Sequence, residues 1–195
     1  MNEKYELTEE FKEIETLREG WLQKIKVYRI RALRAFADVK IGDLGGFVET
    51  KQNLSNMGDA WVYGNAKVYG NAKVYGNAEV YGDAEVYDNA WVCGNAKVYG
   101  NAEVCGDAKV CDNANIFWCS SIGSRHATTT MFRNKDNGIT VTCGCFMGTL
   151  EEFAAIVEKE HGENIFGKEY KLLIELAKIH FGLQDETKGE EENGI

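Results

Sequence analysis

The sequence predicts a mainly β protein built around a parallel β-solenoid, on three observations. First, residues 58–117 divide into ten hexads: GDAWVY, GNAKVY, GNAKVY, GNAEVY, GDAEVY, DNAWVC, GNAKVY, GNAEVC, GDAKVC and DNANIF. Second, alanine holds the third position from Ala60 to Ala114, and Val or Ile holds the fifth from Val62 to Ile116. Third, Asn or Asp precedes every alanine, with Gly or Asp before it. A helix of period 3.6 cannot keep a six-residue stripe on one face, and a hairpin needs no Asn at fixed intervals.

Each position has a physical reading. Val is the large inward residue of a short strand, and Ala the small one where the chain bends. Asn, Asp and Gly are expected to turn the corner, because they tolerate left-handed backbone angles. Coils stack at ~4.8 Å, the spacing of paired strands.

Residues 1–57 read as an N-terminal β cap. "KYELT" and "IKVYRIRALRAF" have strand character, with Ile25, Val27, Arg29 and Arg31 alternating, and the glycines of "DVKIGDLGGFVET" mark turns. A cap is expected, since an open solenoid edge would recruit other chains. Residues 58–122 form the solenoid. Residues 123–182 read as a ββαα unit: "TTTMFRNKDNGITVTCGCF" gives two strands joined at "KDNG", and "GTLEEFAAIVEKEHG" a helix with Thr149 and Glu152 as a capping box and Gly162 as its stop. "GKEYKLLIELAKIHF" is a second helix, with apolar residues at Leu172, Leu173, Leu176, Ile179 and Phe181. One apolar face on each helix must pack on the hairpin or on another subunit. Residues 183–195, an acidic tail, are expected to be disordered.

The chain carries a formal net charge of -9, which argues against broad binding to nucleic acid or anionic membranes. The charge is uneven: residues 1–57 hold ten basic and ten acidic side chains, residues 58–117 four and eight. A local basic pocket is compatible with that. No apolar run approaches the ~20 residues of a membrane span, and the acidic N-terminus does not read as a signal peptide. A cytoplasmic location follows, and a reducing cytosol argues against disulfides among the six cysteines.

The hexads resemble the hexapeptide-repeat, left-handed parallel β-helix. In that family three hexads make one coil, so ten hexads give a little over three coils, and Val48, Leu54 and Ile122 are expected to extend the stack. The whole chain is similar to a group of phage and prophage proteins. Those join a "YRI-AL--F--VK-GDLGG-VE---NLS" cap to a run of GNA hexads and a C-terminal "GSR--TTT … CGCF-GT" domain. The matching pieces are Tyr28 to Leu33, Val39 to Glu49, the hexads, Gly123 to Thr130 and Cys143 to Thr149, and the likeness covers roughly residues 25–182.

With eighteen residues per coil, outward side chains form columns. Tyr63, Tyr81, Tyr99 and Phe117 make one ladder; Tyr69, Tyr87 and Cys105 a second; Tyr75, Cys93 and Cys111 a third. Lys73, Trp91 and Lys109 align, with a cation–π arrangement open to them, and Glu79 lies over Lys97. Exposed aromatic ladders mark interfaces, or simply cover the solenoid edge. Helices of this family commonly trimerise, so a homo-oligomer, a trimer first, is expected.

Hexapeptide acyltransferases use a histidine near a coil, and the β-helical carbonic anhydrases three histidines on zinc. Here the histidines are His126, His161 and His180, and none lies in the hexads. Neither enzyme is favoured, and no cofactor is expected. Cys143 and Cys145 in "CGC" share a strand face and suit either a metal or packing under a helix; no metal site is assigned. "SSIGSRHATTTMFR" is richest in binding chemistry. Hydroxyls and N–H groups near glycine cradle phosphate, and arginine holds it bidentately. The candidate ligand-binding residues are Ser124, Arg125, His126, Thr128, Thr129, Thr130 and Arg133, with Trp118 or Phe132 to stack on a base or ribose. The same stretch also reads as a polar connector and an edge strand.

The expected function is a non-enzymatic binding protein for a small phosphate-bearing ligand. The phage likeness implies capture of a nucleotide signal of bacterial immunity. The alternative is a protein-interaction module that inhibits a host defence complex through the solenoid surface. A hexapeptide acyltransferase is the disfavoured third.

Overall fold

The computed structural model describes residues 3–18 and 20–183. Two long strands, β1 (Tyr5–Arg18) and β2 (Trp21–Ala32), form an antiparallel hairpin, followed by β3 (Leu44–Val48). Nine two-residue strands follow: β4 (Trp61–Val62), β5 (Lys67–Val68), β6 (Lys73–Val74), β7 (Glu79–Val80), β8 (Glu85–Val86), β9 (Trp91–Val92), β10 (Lys97–Val98), β11 (Glu103–Val104) and β12 (Lys109–Val110). A 3-10 turn (Asn113–Asn115) leads into β13 (Ile116–Ile122), β14 (Ala127–Arg133), β15 (Ile139–Cys143), β16 (Phe146–Thr149), α1 (Leu150–His161) and α2 (Ile165–His180).

The short strands stack in parallel as β3-β5-β8-β11, β4-β7-β10 and β6-β9-β12. The result is a parallel β-solenoid of about four turns. Partners lie eighteen residues apart, as in Val68 against Val86. From Ala60 to Ala102 and from Val62 to Val110 the inward alanines and valines are fully buried. Val48 pairs with Val68 and Leu54 bridges Val74, so both extend the stack as expected.

The corner works differently from the expectation. Only the first hexad position is left-handed, with φ between 57° and 75° from Gly58 to Gly106. The second-position asparagines bond one another between coils instead: Asn71 Nδ2 donates to Asn89 Oδ1 at 3.1 Å, and Asn77 to Asn95 at 3.1 Å. Asp88 is the one first-position residue with a side chain in that region, and its Oδ2 accepts the Gly106 N–H at 3.2 Å.

The tenth hexad does not form a coil face. Asp112 is extended, at φ -153°, and Ala114 is exposed. Ile122 accordingly belongs to β13, opposite Ala127, and does not extend the stack.

At the N-terminal end the cap meets carbonyls that have no coil above them. The buried Lys4 ammonium donates to Ala60 O at 2.8 Å, and Asn53 Nδ2 to Gly70 O at 3.0 Å and Ala72 O at 2.9 Å. Tyr5 and Phe36 pack edge-on against Trp61, the one buried residue of its column. The register shift between Arg29 and Arg31 lies on the β3 side, where three residue steps face two, so β2 keeps the alternation expected of it. Even-numbered Ile30 and Ala32 face the solenoid core, and odd-numbered Val27 lies on the outer face with Phe47 and Tyr69.

At the other end, the expected hairpin and two helices are present as β14, β15, α1 and α2. The sheet gains β13 and β16 and is four-stranded, in the order β13-β14-β15-β16. One face closes the last coil. Thr130 Oγ1 accepts the Glu103 N–H at 3.1 Å, Thr142 Oγ1 donates to Glu103 O at 3.2 Å, and Phe132 and Ile116 join the solenoid core. The other face carries the helices over Met131, Ile139 and Val141. Thr149 and Glu152 form the capping box, and Gly162 stops α1 at φ 50°.

The expected face of α2 is corrected. Tyr170, Leu173, Ile174 and Ala177 pack inward, whereas Leu172, Leu176 and Ile179 are exposed. Sheet contact selects the stripe three and four residues apart through Ile174. Residues 184–195, most of the acidic tail, lie outside the described residues. Among the described residues no helix is long and apolar enough to cross a membrane.

Candidate functional site

Strand parity decides where the candidate residues go. Alternate residues of a strand face opposite sides of a sheet. On β13 and β14 the even-numbered side, Trp118, Thr130 and Phe132, faces the solenoid. The odd-numbered side, Phe117, Thr129 and Met131, faces the helices. The nine candidates therefore do not form one site.

Phe132 is fully buried in the solenoid core, so its ring is closed to a base, and Thr130 is spent on the last coil. Thr129 is buried and donates to the Cys143 thiol at 3.2 Å. Thr128 shares a hydrogen bond with Ser120 at 2.9 Å. Arg133 donates to Phe181 O at 2.6 Å and Asn137 O at 3.0 Å, tying β14 to the end of α2.

Ser124, Arg125 and His126 lie on the turn between β13 and β14. Gly123 (φ 71°) and His126 (φ 49°) make that turn left-handed. The Gly123 N–H donates to Glu169 Oε2 at 3.0 Å, anchoring the turn to α2. A Cβ at Gly123 would overlap the Tyr170 phenol, so glycine is required there.

Ser124 and Arg125 line a cleft of about 240 Å³ with Cys143, Gly144, Cys145, Phe146, Phe153, Glu160, His161 and Tyr170. Arg125 reaches across the Cys143–Cys145 turn: a Cβ at Gly144 would sit 3.6 Å from its Nη1. Among the described residues Arg125 makes no hydrogen bond or ion pair. Burial, with the Cys143 thiol 3.8 Å away, pushes the Tyr170 phenol up to about 12, against the pull of Arg125. Tyr170 therefore faces the cleft as a neutral O–H, beside a cation. Phe153 packs edge-on against Tyr170 at 5.5 Å, and His161 stacks on Tyr170 at 5.7 Å.

Sequence reasoning placed Arg125 and Ser124 but missed the wall opposite. Phe153 and Tyr170 fall on the inward stripes of α1 and α2, which is the signal that could have found them. "CGC" supplies the floor through a left-handed Gly144, at φ 59°. Among the described residues no group of three His, Cys, Asp or Glu side chains is placed to hold a metal ion.

The surface columns divide. Tyr63–Tyr81 (6.4 Å) and Tyr81–Tyr99 (5.1 Å, 9°) continue to Trp118 (4.3 Å), and Phe117 instead meets His180 at 5.3 Å. The ladder changes partner because the chain leaves the coil at Asp112. Tyr69 and Tyr87 stack at 5.1 Å but lie under the β1–β2 hairpin, so they offer no open interface. Burial pushes both phenols above their ordinary value. Trp91 pairs in register with Lys73 and Lys109, and its ring meets Tyr75 at 6.2 Å. Lys97 is ion-paired with Glu79 at 3.1 Å.

Cys93 and Cys111 are joined by a disulfide, contrary to expectation. The same hexad position on adjacent coils puts their Cα atoms 4.3 Å apart, so stacking alone aligns the two thiols.

No protein-family model matches the chain, and no curated protein sequence matches it.

Proposed function

We propose that this protein is a non-enzymatic binding protein that captures a small phosphate-bearing ligand, of the nucleotide class, in the Arg125 cleft. The observation that carries this reading is the Arg125 guanidinium, unpaired over an aromatic-walled cleft. Phosphate offers the bidentate geometry that a guanidinium fits. Ser124 adds a hydroxyl donor, and the half-buried Phe146 ring supplies surface for a base or ribose, with the buried Phe153 and Tyr170 rings behind it.

The likeness of the hexads and end domains to phage proteins extends the reading. In it the chain is a left-handed hexapeptide-type helix, homo-oligomeric and cytoplasmic in a bacterial host, that sequesters a nucleotide signal of immunity. Native mass spectrometry with cyclic and linear nucleotides tests this, with Arg125→Ala as control. One nucleotide bound per subunit or per interface is expected, weakened about tenfold or more by Arg125→Ala. Full affinity in that variant would remove the assignment.

One feature favours a second reading, a protein-interaction module acting on a host complex. Trp21, Leu22 and Leu17 are exposed together at the tip of the β1–β2 hairpin. Activity lost on Trp21→Ser and kept on Arg125→Ala would support it.

A further inference from the structure

A second cleft, of about 530 Å³, opens where β13 crosses the end of the solenoid. It is more than twice the volume of the Arg125 cleft and falls in the range of small-molecule sites. Its walls are mostly rings. Tyr99 is stacked on Tyr81, yet remains 43% exposed. Trp118 stands perpendicular to Tyr99, at 4.3 Å and 87°, so the two rings form a corner. A flat molecule in that corner stacks on one ring and presents its own edge to the face of the other, the two arrangements aromatic pairs prefer. Phe117 and His180, 5.3 Å apart, line it as well.

Lys97 and Asn113 bring donors to this cleft. Lys97 has three N–H groups, and Glu79 takes one at 3.1 Å. Asn113 accepts the Lys97 backbone N–H through Oδ1 at 2.9 Å, which orients its amide and leaves the NH₂ group to donate. Among the described residues no Asp or Glu lines the cleft. β13 is also the edge of its sheet, so its outer backbone groups have no strand partner.

We propose that the Tyr99–Trp118 cleft is a binding site for a planar aromatic molecule carrying a carboxylate or similar anionic group. The plane fits the ring corner and the anion meets Lys97 and Asn113. The site stands apart from the Arg125 cleft and does not depend on that reading.

Titration of the full chain with naphthalene-2-carboxylate, followed by saturation-transfer NMR, tests it. Cyclohexanecarboxylate serves as the non-planar control, and naphthalene-2-carboxamide as the neutral one. The naphthoate is expected to bind with a Kd below about 1 mM, with both controls weaker. Trp118→Leu should weaken it about tenfold, Lys97→Met about fivefold, and Arg125→Ala not at all. Equal binding of cyclohexanecarboxylate, unchanged affinity in Trp118→Leu, or no binding by about 10 mM would overturn the proposal. Should Trp118→Leu fail to fold, the exposed Lys97→Met decides: the preference for carboxylate over carboxamide disappears, or the proposal fails.

Discussion

The solenoid and the C-terminal sheet are both β structures, yet they use their residues in opposite ways. In the coils each hexad position meets one environment, repeated. Valine and alanine are inside, glycine turns the corner, and asparagine bonds its neighbour above. In the sheet, adjacent residues serve two different cores: Phe132 fills the end of the solenoid, while Met131 packs under the helices. The periodic half is saturated with its own contacts. The aperiodic half leaves the Arg125 guanidinium without a hydrogen bond or ion pair among the described residues.

Breaking the periodic half should cost most. Val86→Asp places a carboxylate in a fully buried column with no partner. A loss of at least about 4 kcal/mol is expected, a large share of the roughly 5–15 kcal/mol that holds a domain folded. Circular dichroism would show it as a melting transition shifted down by about 10 °C or more.

The Cys93–Cys111 link is next. It closes an eighteen-residue loop, one coil long. Cys93→Ser should lower unfolding stability by about 3 kcal/mol, read as a shifted urea midpoint. An unchanged midpoint in oxidised protein would mean that the two coils need no link.

At the N-terminal cap, stability depends on pH. Burial, aided by Arg34, pushes the Lys4 ammonium down to about 8 in the folded chain. The unfolded chain therefore holds more protons between that value and the ordinary 10.5, and stability rises with pH there. The rise begins near pH 8 and is offset as the tyrosines start to titrate in the unfolded chain. As pH approaches 10 the sign reverses. Burial holds Tyr5, Tyr69 and Tyr87 un-ionised in the fold, so the unfolded chain loses protons first and stability falls. Chemical denaturation across this range checks both limbs, and Lys4→Met should remove the rise alone.

At the other cap the effect is smaller. Thr130→Val leaves the Glu103 N–H without its acceptor and should cost about 1–2 kcal/mol. Arg125→Ala completes the series: it removes no hydrogen bond or ion pair found among the described residues, so its cost should stay within about 0.5 kcal/mol by urea denaturation.

What the sequence shows about this molecule follows the same division. A six-residue period is local information, so the coils, their core and the Glu79–Lys97 step are legible from Val62 to Val110. The α1 capping box is legible for the same reason. The ends depend on partners far along the chain. Nothing near Lys4 says that it will meet Ala60, and nothing in "DNANIF" says that Asp112 will turn extended and release the chain into β13. The register shift at Arg29 likewise appears only once β3 lies beside β2. At the candidate site Arg125 and Ser124 stand out by residue type. Their separation from Trp118 does not, because it follows from the sheet having two covered faces.

The most direct measurement is native mass spectrometry of the intact protein with a panel of cyclic and linear nucleotides, run beside Arg125→Ala. The account predicts a nucleotide-bound species for the unaltered chain and its loss in the variant at equal stability. An unaltered chain that ignores every nucleotide, or a variant that binds as well, would contradict it.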